Sequence, residues 1–191
     1  AMRIGSESSA GLLVAASLVT VLGWLRTVQW YSCRYSRIAR QPMANSPHLD
    51  LIGVIHLPAL PGAPGARLSV DQVIERALSD AQALLNGGIR MCIVENFGDA
   101  PFRRGRVNPH VPACMAVIAA AIRERVGDEL TLGINVLRND AFSALGAAAA
   151  CNAAFVRVNV LNGSAWTDQG LIQGEADAVL RYRRSLGVDV K

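Results

Sequence analysis

The sequence lacks the cysteine spacing of a metal-binding or disulfide-linked domain. Its cysteines, at positions 33, 92, 114 and 151, include no Cys-x-x-Cys pair and lie mostly within apolar runs. A zinc site or a disulfide framework is therefore not predicted, and a reducing compartment is the simpler interpretation.

Most of the chain carries no excess of basic residues. The formal net charge is +4, but residues 1–49 hold five arginines and a single acid, Glu7, which accounts for all of it. Residues 50–191 keep 14 of the 19 basic and 14 of the 15 acidic residues and are neutral. A nucleic-acid partner, which needs clustered lysine and arginine, is therefore not expected.

Residues 1–49 have little in common with the rest and lack an apolar run of membrane-spanning length. Their apolar run, residues 12–25, has about 14 residues against the roughly 20 that a transmembrane helix needs. Three interpretations stay open: leader sequence upstream of a true start at Met43, an organelle (mitochondrial) targeting segment rich in arginine and serine, or a peripheral membrane anchor. The main domain is predicted at 50–191, after a proline-bearing linker.

Four apolar runs of similar make-up organise this domain. Each has an aliphatic body and ends in charged or amide residues, and they occupy residues 51–56, 91–96, 132–137 and 155–160. Helical patterns alternate with these strands. Because crossover helices join parallel strands, the polar ends are expected to collect on one rim of the sheet.

The predicted helices follow from caps and breakers. Ser69 and Gln72 form a capping-box pattern before a helix that ends at Gly87-Gly88. The later helices are predicted from Pro109 or Val111 to Val126, from a cap at Asn139 or Asp140 to Cys151, and from Leu171 to Leu186, before residues 188–191 begin a fifth strand.

Two closures of such a parallel sheet are available, an open doubly wound sheet and an eight-stranded barrel. The loop after the first strand is rich in proline and lacks Gly-x-Gly-x-x-Gly, which argues against a dinucleotide site. Polar residues at all four strand ends favour a TIM (β/α)8 barrel, of which four units would be half.

Alternation along the strands indicates which polar side chains converge. His56, Glu95, Asn135, Arg157 and Asn159 are predicted to point into the barrel at its rim. In the functional interpretation Glu95 is a general base or metal ligand, His56 its acid-base partner with Asn135 beside them, and Arg157 and Asn159 bind an anionic substrate. In the structural alternative Glu95 and Arg157 neutralise each other.

Residues just past the strand ends are weaker candidates. Asn96, Arg138 and Asp140 are predicted to contribute to substrate binding, and Asp99 and Asp168 to a divalent metal site. The three aspartates fit helix caps or turns equally well. The arginines of the loop 103–106 would attract an anionic substrate or be solvated.

Several segments resemble the BtpA/SgcQ family. The motifs are Gly-Val-Ile-His-Leu-Pro-Ala-Leu-Pro-Gly (53–62), Glu-Asn-Phe-Gly-Asp-Ala-Pro-Phe (95–102), Gly-Ile-Asn-Val-Leu-Arg-Asn-Asp-Ala (133–141), Phe-Val-Arg-Val-Asn-Val (155–160) and Thr-Asp-Gln-Gly (167–170). The resemblance implies a TIM-barrel-like fold of the ribulose-phosphate-binding kind. It also implies a link to photosystem I, since a cyanobacterial member is a thylakoid-associated factor needed for its accumulation, while relatives elsewhere suggest an older metabolic role.

The expected function is acid/base chemistry on a small phosphorylated or sugar-derived metabolite, in the cytoplasm. The alternative is a non-catalytic assembly or stabilising factor that associates peripherally with a membrane complex. A homo-oligomer fits either. The family's C-terminal part, including a motif that carries Lys and His, has no counterpart here, and neither has 1–49 a counterpart in the family.

Overall fold

The computed structural model describes residues 51–191, and the expectations for residues 1–49 lie outside them. A parallel sheet organises the described part, with neighbouring strands in chain order. Its strands are β1 (Ile52–His56), β2 (Met91–Glu95), β3 (Thr131–Asn135) and β4 (Phe155–Val156). The alternation of strands with helices and the parallel sheet confirm the predicted α/β class.

Helices follow each strand, at bounds that local signals explain. They are α1 (Val70–Asn86), α2 (His110–Val126), α3 (Ala141–Cys151) and, after a hairpin, α4 (Ala176–Ser185). The capping box at the start of α1 is confirmed: Gln72 N–H donates to the Ser69 hydroxyl, and Ser69 N–H donates to the Gln72 side chain. Asp140 caps α3 by accepting from Ser143 N–H.

The two faces of the sheet have different environments. Ile55, Val94 and Ile134 are buried in one hydrophobic core with the apolar stripes of α1, α2 and α3. Side chains one position away along the strands lie on the other face, where Val54 is 41% exposed. That second face carries Glu95, and the residues predicted to form the site are therefore on the side opposite the helices.

Gly133 in β3 allows a bulky neighbour on this second face. An added Cβ at Gly133 would lie 2.3 Å from the ring of Phe155 in β4. The glycine therefore makes space for Phe155, and β3 and β4 can pair closely between Gly133 and Phe155.

The prediction of a helix from Leu171 to Leu186 is wrong in its first turns. A hairpin of β5 (Ser164–Thr167) and β6 (Gly170–Gln173) precedes α4. The hydroxyl of Thr167 donates to the carbonyl of Gly170, whose φ is +93°, so the chain reverses tightly there. Leu171 then pairs across the hairpin with Trp166, and its apolar character belongs to a strand.

The fourth strand is shorter than the predicted range 155–160. Arg157 N–H still donates to the carbonyl of Ile134, but the backbone of Val160 is held by a side chain. Asn139 donates to the Val160 carbonyl at 3.0 Å and accepts from its N–H at 2.8 Å. Since β3 has ended by then, the chain leaves the sheet.

Residue 191 lies beside β4, where the sequence predicts the start of a fifth strand. Lys191 N–H donates to the Ala154 carbonyl at 3.0 Å, and Val156 N–H donates to the Lys191 carbonyl at 2.7 Å. This is the hydrogen-bond pattern of a parallel neighbour.

No helix within 51–191 combines the length and the apolarity that crossing a membrane requires.

Candidate functional site

A row of polar side chains ends three neighbouring strands at the same level. The register pairs His56 with Glu95 across β1 and β2, and Glu95 with Asn135 across β2 and β3. Parallel strands deliver their last residues to one rim, and alternation turns these three side chains to the same face. Each of these strands has an apolar body and a polar last residue, and the three polar side chains therefore form a cluster.

Glu95 is the centre of this cluster. It is 4% exposed, and its Oε2 accepts from Asn135 Nδ2 at 2.5 Å and from Arg157 Nη1 at 3.1 Å. His56 Nε2 lies 3.6 Å from the other carboxylate oxygen. A buried carboxylate needs such partners, because burial of an unpaired charge is costly. The structure thus brings together four of the five residues predicted to converge.

Both roles that the sequence suggested for Arg157 fit this geometry. Its Nη1 neutralises Glu95, as in the structural alternative, while the side chain stays 38% exposed. Among the described residues the contact with Glu95 is the sole hydrogen bond of the guanidinium, so its remaining N–H groups are available to a ligand.

The fifth predicted residue, Asn159, is half-buried and differently placed. Its Oδ1 is fully buried and has no hydrogen-bond partner within 51–191. A buried amide oxygen without a donor is uncommon in folded proteins. Its predicted role in substrate binding stays a prediction.

Phe97 belongs to the site, although sequence reasoning did not single it out. Its ring stacks on the His56 ring with centroids 4.3 Å apart and an interplanar angle of 20°. Phe102 lies against Phe97, with centroids 6.3 Å apart. An aromatic residue directly after the polar strand end Glu95-Asn96, with a second one five residues later, was the available signal. Phe97 restricts the orientations open to the imidazole beside Glu95.

Asn96 is buried beneath the rim, against its predicted role in substrate binding. It is 1% exposed, accepts from Leu137 N–H at 2.7 Å and donates to Asp99 Oδ2 at 2.9 Å. Asp99 Oδ1 accepts from Leu60 N–H at 2.7 Å. This chain of bonds joins the loops that follow β1, β2 and β3, because alternation turns Asn96 away from Glu95.

The predicted metal ligand Asp99 therefore already uses both carboxylate oxygens. No group of three or more His, Cys, Asp or Glu in the described part of the chain is arranged to hold a metal ion. The side chains of residues 51–191 therefore do not fit a divalent metal site.

Asp140 is likewise structural instead of substrate-binding. It is 2% exposed and accepts from Arg106 at 2.9 Å, from Val107 N–H at 2.9 Å and from the hydroxyl and N–H of Ser143. Burial, the largest influence, raises the pKa of this carboxyl, but the hydrogen bonds from Ser143, Val107 and Arg106 together lower the pKa below its usual value.

Arg138 and Asp168, predicted to bind substrate and metal, contact each other. Arg138 donates to Asp168 Oδ1 and to Gln169 Oε1, both at 2.8 Å. Its guanidinium carbon lies 5.0 Å from the centroid of Phe102. The turn of the hairpin is thus held to the loop after β3.

The arrangement around Glu95 has the parts of an acid/base site. A buried carboxylate and a half-exposed imidazole lie within reach of one ligand, with an arginine that attracts anions. Cys92, by contrast, is a packing residue, because burial raises its pKa to about 12.

Comparisons with known proteins agree with these motifs. A family model described as BtpA family matches residues 48–191. The chain is 50% identical to the Photosystem I biogenesis protein BtpA of Synechocystis over 75% of this chain and 49% of that protein. It is 44% identical to an uncharacterized protein of Pyrococcus horikoshii, over 73% of this chain and 54% of that protein. No solved structure gives a significant match.

A more distant relative is an uncharacterized mitochondrial protein of Caenorhabditis elegans, 29% identical over 78% of this chain and 55% of that protein. The chain spans about half the length of the curated relatives it matches. The family match confirms the resemblance inferred from the motifs. The chain belongs to the BtpA family.

Proposed function

We propose that this chain is part of a TIM-type (β/α)8 barrel that performs acid/base chemistry on a small phosphorylated or sugar-derived metabolite. The observation that carries the proposal is Glu95. A carboxylate that is 4% exposed meets a histidine, an amide and an arginine from three other strand ends. Such convergence is typical of a catalytic rim.

The barrel part of the proposal rests on topology. Four parallel strands in chain order, with their helices packed against one face, are half of the (β/α)8 arrangement. The opposite face contains the half-exposed Val54, and the matched part of this chain covers about half of each relative. The other half of such a barrel would cover this face.

Each side chain has a proposed role. Glu95 removes a proton from the ligand, and His56, held by Phe97, donates one. Arg157 binds the anionic group with the N–H groups that Glu95 does not use. Arg103 and Arg104 are exposed on the same rim and attract an anion at longer range.

A thermal-shift screen tests the ligand class. Sugar phosphates are expected to raise the Tm of the chain, and Arg157→Gln to remove that rise. Arg76→Gln, at an exposed arginine of α1, is the matched control and keeps it. The proposal is wrong if sugar phosphates leave the Tm unchanged or stabilise Arg157→Gln equally.

A non-catalytic role in assembly is the second candidate. It is favoured by the 50% identity to a protein named for photosystem I biogenesis. A scaffold would act through its surface, so Glu95→Gln would leave partner capture from detergent-solubilised membranes intact. In that case no metabolite would shift the Tm of the wild-type chain.

The cellular location we propose is the cytoplasm, with a mitochondrial location as the alternative that the worm relative suggests.

A further inference from the structure

The turn of the hairpin presents acceptor groups to an arginine of the rim. Asp168 and Gln169 form the turn between β5 and β6, and each accepts one hydrogen bond of 2.8 Å from Arg138. Arg138 also stacks over Phe102, whose neighbour Phe97 lies on His56. The guanidinium of Arg138, next to the site, is thus already paired with the chain's own carboxylate, that of Asp168.

The two partners of this ion pair are unequally held. The Arg138 side chain is 22% exposed and fixed over an aromatic ring, whereas the Asp168 side chain is 66% exposed. An exposed carboxylate loses little when water replaces its partner, so such pairs stabilise weakly. A phosphate group carries about −1.5 to −2 charges near neutral pH and competes favourably with a single carboxylate.

The hairpin does not pair with the main sheet. Its two strands form a separate two-stranded sheet. Gly174 N–H donates to the Gly163 carbonyl at 2.8 Å and closes the base, and Gly163 has a φ of +69°. Ile172 of β6 is 3% exposed and anchors the strands of the hairpin, so a release from Arg138 involves the turn at Asp168 and Gln169 and leaves β1 to β4 in place.

From these contacts we infer that Arg138 is a second anion-binding position, masked in the free chain by Asp168. While Arg157 holds one anionic group of the ligand, a phosphate group takes the place of the Asp168 carboxylate on Arg138, and the hairpin turn is released. This inference rests on the proposed phosphorylated ligand, but it assigns a phosphate to Arg138 and a gating role to the hairpin. No bond is made or broken in the exchange.

Titration with inorganic phosphate on the full chain tests the exchange. Asp168→Asn keeps the size of the side chain but removes the competing charge, and is expected to bind phosphate about threefold to fivefold tighter than wild type. Asp128→Asn is the control for net charge, because Asp128 is an exposed partner of Arg123, 3.8 Å away. It should bind phosphate as wild type does.

Two further measurements accompany the titration. Phosphate should speed amide hydrogen exchange at Trp166 and Leu171 in the wild-type hairpin, and Arg138→Gln should lower phosphate affinity at least tenfold. The inference is overturned if Asp168→Asn binds phosphate no tighter than Asp128→Asn, a comparison that leaves Arg138 intact. If this comparison fails while Glu95 still has a ligand-dependent role, only the gating role of the hairpin turn is refuted. The proposed function then stands.

Discussion

Glu95 and Arg157 meet across the width of three strands. The carboxylate ends β2, the arginine follows β4, and their side chains lie 3.1 Å apart over the end of β3. Asn135, at the end of β3, donates to the same carboxylate oxygen. One buried carboxylate therefore unites three consecutive βα units of the chain.

Removal of the arginine should destabilise the fold through Glu95. Arg157→Met leaves a buried carboxylate without its cation, and we expect the free energy of unfolding in urea to fall by about 1–3 kcal/mol. In the double variant with Glu95→Gln the loss should be smaller than the sum of the single losses. Arg104→Met, on the exposed rim, should stay within about 0.5 kcal/mol of wild type. Strictly additive losses would contradict the pairing.

Asp140 should make stability depend on pH. Its pKa is lower in the folded chain than in the unfolded chain, so its charged form adds stability above the unfolded pKa of about 4. That contribution is lost as the pH falls through the lowered folded pKa. Asp140→Asn should therefore have a lower Tm than wild type at pH 7, and the difference should shrink as the pH falls below the unfolded pKa and through the lowered folded pKa.

The exposed Asp128 supplies the control for this pH series. Asp128→Asn should follow the wild-type curve of Tm against pH, since Asp128 is far more exposed than Asp140. A constant Tm difference between Asp140→Asn and wild type at every pH would show that the charge of Asp140 is not the cause.

A side chain at position 133 should destabilise the fold while Phe155 is present. Gly133→Ala places a methyl group 2.3 Å from the Phe155 ring, and overpacking of this kind costs about 1–3 kcal/mol. Gly105→Ala is the matched control, because an added Cβ there meets nothing within 4 Å. Phe155→Leu in the Gly133→Ala background should recover part of the lost Tm. Equal Tm values for the two alanine variants would be evidence against the contact.

Asn96 should act on the loops and not on the ligand. Asn96→Ala leaves Leu137 N–H and Asp99 without their buried partner, which should lower the free energy of unfolding by about 2–3 kcal/mol. Hydrogen exchange at the Leu137 amide should rise at the same time. Asn86→Ala, at the exposed end of α1, is the control and should change neither quantity. An unprotected Leu137 amide in the wild-type chain would rule out the bond.

Sequence reasoning could predict the parts that depend on period and register. Alternation alone assigned His56, Glu95, Asn135 and Arg157 to one face, and parallel pairing implied that their strands end at one rim. The cap at Ser69 was readable because its partner, Gln72, is three residues away. Local signals of this kind need no knowledge of distant contacts.

The parts that could not be predicted depend on contacts between distant residues. Asp140 suits both a ligand site and a cap, and the decisive partner, Arg106, is 34 residues away. The hairpin was missed because Leu171 and Ile172 fit the apolar pattern of a helix start. The opposing residues Trp166 and Ala165 become relevant only once the chain has turned at Gly170.

The most direct test of the account is the turnover of a stabilising sugar phosphate by Glu95→Gln. We expect kcat to fall by about 10²–10⁴-fold, the usual contribution of a general acid or base, and the ligand-induced rise in Tm to be retained. Glu129→Gln, at the exposed end of the loop before β3, should keep the wild-type kcat. Turnover by Glu95→Gln at the rate of Glu129→Gln would contradict the central role of Glu95.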